Sequence, residues 1–139
     1  MVNMPKHDPS CSRSSCPIGT ALDVIGDRWT LLVVRDLGLA GKSRFSEIGQ
    51  PEGIATNILA ERLARLEKVG VVIKERDPDD GRKRSYRLTE KGKDLLPIVM
   101  EMAAWGLKHT DDGESYRAMI EAYSSDRDGA LQAIRSRLD

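Results

Sequence analysis

A chain of 139 residues, 40% hydrophobic and 32% charged, is long enough to bury one core and too balanced in composition to stay disordered. No apolar run approaches the roughly 18 residues of a membrane span, and the opening MVNMPKHDPSCSRSSC lacks the apolar stretch of a signal peptide, so a cytoplasmic protein is expected. Cys11 and Cys16 are too few for a disulfide framework, and the formal charge of zero hides a partition: residues 42–91 hold 12 basic and 9 acidic side chains, residues 109–139 hold 4 and 7.

Residues 1–15 show no periodicity and read as a flexible arm. Pro17 suits the first turn of a helix carrying Leu22, Val24 and Ile25, which Gly26 stops. Asp27 is a candidate cap for a second helix with Trp29, Leu32, Val33 and Leu37 at helical spacing and Gly41 as its terminator. Ser43 is placed to cap a short helix over RFSEIG with Phe45 and Ile48 inward, and Gln50 to Gly53 form a turn. A further helix begins near Ala55. Leu59, Leu63 and Leu66 make its apolar face, and Asn57, Glu61, Ala64 and Lys68 fall opposite, a face free of large apolar groups. Gly70 closes it, and Val71, Val72 and Ile73 open a strand that returns through DPDDG to a second strand bearing Tyr86 and Leu88. Helix, turn, helix and hairpin in that order predict a mainly α protein with a small β-hairpin wing (α+β): a winged helix-turn-helix with flanking dimerisation helices.

Thr89 is expected to cap one long helix, EKGKDLLPIVMEMAAWGLKH, kinked at Pro97. Its middle is apolar on nearly all sides, more than one small domain can cover, which points to a homodimer. Leu22, Ile25, Leu96, Val99, Met100, Ala103 and Trp105 are the candidate interface residues; Trp105 reads as core packing before ligand binding, and Gly106 as a place where another helix comes close. After a break at 110–113, two helices are expected, Glu114 to Tyr123 and Asp128 to Leu138. The domain division is therefore an arm at 1–15, the winged helix-turn-helix with its dimerisation helices at 16–110, and a helical extension at 111–139.

Several runs then carry a family resemblance: Cys16-Pro17-Ile18, LDVIGDRW at 22–29, RFSEI at 44–48, LAERLARLEKVGVV at 59–72, YRLTEKG at 86–92 and AAWG at 103–106. Over residues 16–108 the chain resembles HxlR-type regulators, relatives of the MarR group of bacterial winged-helix transcription factors. The resemblance implies a symmetric dimer on double-stranded operator DNA, with one helix in the major groove and the wing along the flanking backbone. Two departures stand out. Ala55 occupies a place where members often carry a capping Ser, and the wing turn DPDDGRKRSY is closer to the MarR pattern.

On these matched positions Thr56 and Asn57 are candidates for base contacts, Asn because its amide bonds adenine twice. Arg44, Arg62 and Arg65 are candidates for phosphates, as are Arg82, Lys83 and Arg84 at the hairpin tip, where three cations have no use in a core. Arg62 lies only about 60° from the apolar face, so a buried stem with its head paired to a Glu is the competing reading. The resemblance also implies an oxidant or electrophile sensor at Cys16. A thiol at a helix amino terminus is favoured as thiolate, with Cys11 as resolving partner, a bridge to the other subunit as the alternative, and an inert filler as the plain reading. His7, Cys11, Cys16 and His109 lack zinc-site spacing, no cofactor is called for, and no phosphate-cradling loop or nucleophile elbow suggests an enzyme. A winged-helix module that binds protein instead of DNA is the alternative function.

Overall fold

The computed structural model describes residues 15–139. Its elements are α1 (Pro17–Ile25), α2 (Thr30–Gly38), turns over residues 45–53, α3 (Thr56–Lys68), strands β1 (Val72–Arg76) and β2 (Arg84–Leu88), α4 (Glu90–Lys93), α5 (Leu96–His109), a 3-10 turn at Glu114–Tyr116, α6 (Arg117–Ser125) and α7 (Arg127–Leu138). This is the mainly helical architecture with an antiparallel hairpin wing that the residue pattern predicts. Residues 1–14 of the arm, Cys11 among them, lie outside the described residues.

Boundaries follow from local chemistry. The Asp27 carboxylate accepts the N–H groups of Trp29 (2.9 Å) and Thr30 (3.1 Å) and the Thr30 hydroxyl, starting α2 one turn past Asp27. Along α3, Leu59, Leu63 and Leu66 are buried, and each contributes roughly 1.5–3 kcal/mol. In the wing, Val72 faces Leu88 and Lys74 faces Tyr86, so the buried pair Val72 and Leu88 sits where the hairpin leaves the helices. Thr89 caps α4 as expected, its hydroxyl oxygen accepting the Gly92 N–H at 3.1 Å. Two glycines allow close approach. A Cβ on Gly92 would overlap the Val71 carbonyl oxygen, and one on Gly38 would overlap the Leu96 side chain, so α4 meets the start of the hairpin and α2 meets α5 at backbone range.

Three expectations need correction. RFSEIG is turn, not helix. Residues 43–44 run beside the wing instead, where the Tyr86 N–H donates to the Ser43 carbonyl (2.8 Å) and Arg44 bridges to Ser85. The Glu47 carboxylate accepts the Ser43 and Arg44 N–H groups at 3.2 and 3.0 Å, and Gly49 turns at φ 73°, so no helical ladder starts there. The long helix expected from Thr89 is two helices, because Pro97 cannot donate back to the preceding turn and instead sits in the first turn of α5. Finally, Leu96, Val99 and Met100 are buried inside the protomer, while Ile25 and Ala103 are half-buried. Contacts of α5 with α2 and α6 cover those faces. What remains outside is the stripe Ile98, Met102 and Trp105, with Leu22 on α1; Trp105 is 65% exposed and is not a core residue of the protomer.

The last helices are tied in by both packing and charge. Ile134 of α7 joins the main hydrophobic core, Tyr123 of α6 is buried with its hydroxyl donating to Glu101 of α5 (2.6 Å), and Arg135 pairs with Asp94 at 2.6 Å.

Candidate nucleic-acid interface

α3 starts at Thr56 with Ala55 in extended conformation before it, and no side chain caps it. Thr56, Asn57, Ala60, Glu61, Ala64 and Lys68 are exposed, so the outward face is polar and small, as the wheel predicts. A small-sided helix face next to a hairpin gives a convex edge that fits a groove about 12 Å wide.

Two side-chain contacts tie α3 to the segment between α1 and α2 and to α1 itself. Arg62 donates from Nε to the Asp27 carboxylate at 2.9 Å and also pairs with Glu61, and Arg65 donates to the Asp23 carbonyl. The inward-paired reading of Arg62 therefore describes the geometry, but the partner that ties it to the rest of the fold is Asp27, beside the expected Glu. Burial would raise the Asp27 pKa, but the Thr30 hydroxyl, Arg62 and the Trp29 and Thr30 N–H groups together lower it from 3.8 to about 2. Because the folded value lies below the unfolded one, this cluster stabilises the fold above about pH 4, and that contribution is lost as the pH falls through 2. Denaturant titrations at pH 7 and pH 2.5 should show Asp27→Asn about 1 kcal/mol less stable than the parent at pH 7, once screening at this partly exposed site is allowed for, and only about a third of that deficit at pH 2.5. An equal deficit at both pH values would remove the charge from the account.

The turn leading into α3 is fixed from α2. Asp36, buried on the mainly apolar helix α2, accepts the Gly49 N–H at 2.7 Å and the Arg35 guanidinium at 3.0 and 2.8 Å. Arg35 reaches on to Glu52 with paired bonds of 2.8 and 2.7 Å. Glu52 raises the Arg35 pKa against the effect of burial, and Arg35 in turn holds the Glu52 carboxyl below its usual range.

The wing is organised by Asp77. Its buried carboxylate accepts the N–H groups of Asp79 (2.8 Å) and Asp80 (3.2 Å) and takes Arg44 Nε at 2.5 Å. Arg44 first, then those amides, hold the Asp77 carboxyl below its usual range. Arg44 is thereby turned toward the wing, against the residue that opens its turn. At the tip, Arg82, Lys83 and Arg84 are exposed, Arg82 to 93%, with only a 3.4 Å contact to Asp80 and 3.4 Å contacts from Arg84 to backbone carbonyls.

So Thr56, Asn57 and the three tip cations lie outward, whereas Arg44, Arg62 and Arg65 are engaged within the protomer. Asp36 and Asp77 were not anticipated. Each carried a readable signal: an acid inside the apolar run TLLVVRDLG, and an Asp at the head of a Pro-Asp-Asp-Gly turn, where the side chain typically binds amides two residues on.

Cys16 stands exposed immediately before α1, and the N–H groups of Gly19 and then Ile18 lower its pKa. Among the described residues, no helix is long and apolar enough to cross a membrane.

A helix with an exposed polar face set against a basic hairpin on a helical support defines a winged helix-turn-helix protein. The chain belongs to the HxlR-like helix-turn-helix family, whose profile matches residues 24–114. It is 36% identical over 89 residues to an HTH-type transcriptional regulator of Mycobacterium tuberculosis, a match covering 64% of this chain and 56% of that protein; the chain thus spans little more than half the length of that relative. With the HTH-type transcriptional regulator YvaP of Bacillus subtilis it shares 39% identity over 98 residues, 69% of this chain and 90% of YvaP. The oxidised form of the redox regulator HypR superposes with a TM-score of 0.60 at 36% identity, over 70% of this chain and all of that one.

Proposed function

We propose that the protein is a transcriptional regulator that binds double-stranded DNA in a sequence-dependent way as a homodimer. In this reading α3 lies in the major groove and the wing on the flanking backbone. The carrying observation is the exposed pair Thr56 and Asn57 at the start of α3, together with the exposed cations Arg82, Lys83 and Arg84 at the tip of the hairpin that packs on that helix. Asn57 is suited to adenine and Thr56 to a base edge or phosphate, and the tip cations to phosphate oxygens. Arg62 and Arg65 then act through α3, fixing its tilt, and Arg44 through the wing. The apolar stripe Ile98, Met102 and Trp105 on α5, with Leu22 on α1, supports dimerisation, since exposed large apolar groups in line are the usual mark of a protein interface.

The test is a titration of reduced protein against the duplex upstream of its own gene and against a scrambled duplex, across a salt series. Binding that prefers the first and falls steeply with salt is the expected result. Weak binding, equal for both and flat with salt, would reject this reading in favour of a protein-binding module.

A second reading concerns Cys16. Its exposure and its lowered pKa favour the thiolate, the form that peroxides and electrophiles attack, and its similarity to HypR points the same way. Peroxide would convert the thiolate to a sulfenic acid, which a second thiol, from Cys11 or the partner subunit, condenses into a disulfide with loss of water. Cys16→Ser is expected to bind DNA as the parent does when reduced and to keep that affinity after peroxide. An unchanged oxidant response in the variant would remove Cys16 as the sensor.

A further inference from the structure

Between α2, α5 and the start of the extension lies a cavity of about 300 Å³. Its apolar wall includes Leu31, Val99, Met102, Leu107, Met119 and Ile120, and its polar edge is Arg35, Thr110 and Asp112. Tyr116, Met119 and Ile120 lie beyond the residues the family profile matches, so one side of this wall belongs to the chain's own extension. The volume is at the lower end of the range for small-molecule sites, and apolar walls with a few polar groups are their usual composition.

Gly106 is the second observation. It sits inside α5, where glycine is the poorest helix former short of proline, yet a Cβ placed on it would meet no atom within 4 Å. No packing within the protomer requires a glycine there, and the space it leaves opens onto the cavity.

Charge narrows the ligand. Arg35 is already neutralised by Asp36 and Glu52, so an anion would find its one cation matched and would face the Asp112 carboxylate at the rim. A cation would instead lie against the Arg35 guanidinium. An uncharged ligand meets neither cost. Arg35 also links the cavity to the turn before α3, because the same guanidinium bonds Glu52 and Asp36, and Asp36 holds the Gly49 N–H.

We propose that this cavity is a binding site for an uncharged, predominantly apolar small molecule of about one or two rings, and that Arg35 transmits its occupancy to the turn leading into α3. The regulatory meaning of that link rests on the DNA-binding reading above; the binding itself does not.

The neutral fluorophore N-phenyl-1-naphthylamine serves as the probe, titrated into the full chain while its molar mass is followed by light scattering. Saturable enhancement at one probe per chain is expected for the parent. Gly106→Phe, which fills the cavity from α5, should weaken probe binding at least tenfold, and Gly106→Ala should stay within twofold, all three at the same molar mass. Met119→Trp, filling it from the opposite wall, decides by the same criterion should Gly106→Phe fail to fold. Probe saturation should change the exchange rate of the Gly49 amide at least threefold. Undiminished binding in a folded cavity-filled variant would overturn the site. So would a change of molar mass in Gly106→Phe, which would give this face to a second copy of the chain. A Gly49 amide indifferent to saturating probe would overturn the link through Arg35.

Discussion

Replacing Arg82, Lys83 and Arg84 together by Ala is expected to weaken DNA binding by between two and three orders of magnitude near 0.1 M salt, and to flatten the slope of log K against log[salt] by up to roughly 2.7. Three phosphate contacts, each releasing counterions worth roughly 0.9 of slope, account for both figures. The side chains are exposed and make only long contacts with the protein, so the fold should lose no more than about 0.5 kcal/mol. Affinity for operator and scrambled duplex should fall together, because phosphate contacts carry no sequence information. Asn57→Ala should behave in the opposite way, leaving the slope in place and reducing the preference for operator by about 1–3 kcal/mol. A triple variant with the parent's slope would take the wing off the DNA backbone.

The second large effect concerns stability. Asp36→Ala is expected to cost about 3 kcal/mol and lower the melting temperature by about 10 °C. The side chain is 1% exposed, and its loss leaves the Gly49 N–H without its acceptor and removes one of the two carboxylates on Arg35. Asp36→Asn should cost less, because an amide oxygen can still accept from Gly49. The two variants together separate the hydrogen bond from the charge: equal losses would mean that the ion pair with Arg35, and not the Gly49 bond, sets the cost. Circular dichroism melts of both proteins make the comparison.

The elements of this fold were legible where the pattern was local. Leu59, Leu63 and Leu66 at helical spacing, the β-branched start of β1, and Thr89 three residues before Gly92 are each readable within a turn or two of chain. The misreadings came from distance. Nothing near RFSEIG announces that residues 43–44 will pair with a strand some forty residues later, and that pairing is what removes the helix. Around α5 the apolar residues run on every side, so the pattern alone did not say which would be met by α2 and α6; Leu96 and Met100 went inward, Ile98 and Trp105 outward. The site divided in the same way. Exposure of Asn57 and Arg82 followed from the helical wheel and the hairpin, while the inward pairing of Arg44 with Asp77 and of Arg65 with the Asp23 carbonyl depends on partners 33 and 42 residues away.

Pairing between residues 43–44 and β2 has a mechanical consequence. The hairpin is braced at its middle by the very segment that leads into the turn before α3, through the Ser43 carbonyl and the Arg44–Asp77 pair. Hinge motion of the wing about its root is thereby stiffened, and the helix and the hairpin tip behave as two points on one caliper whose gap is set by the protein. Lengthening the DPDDG turn would move one jaw alone, whereas loosening Arg44 would let the gap itself fluctuate.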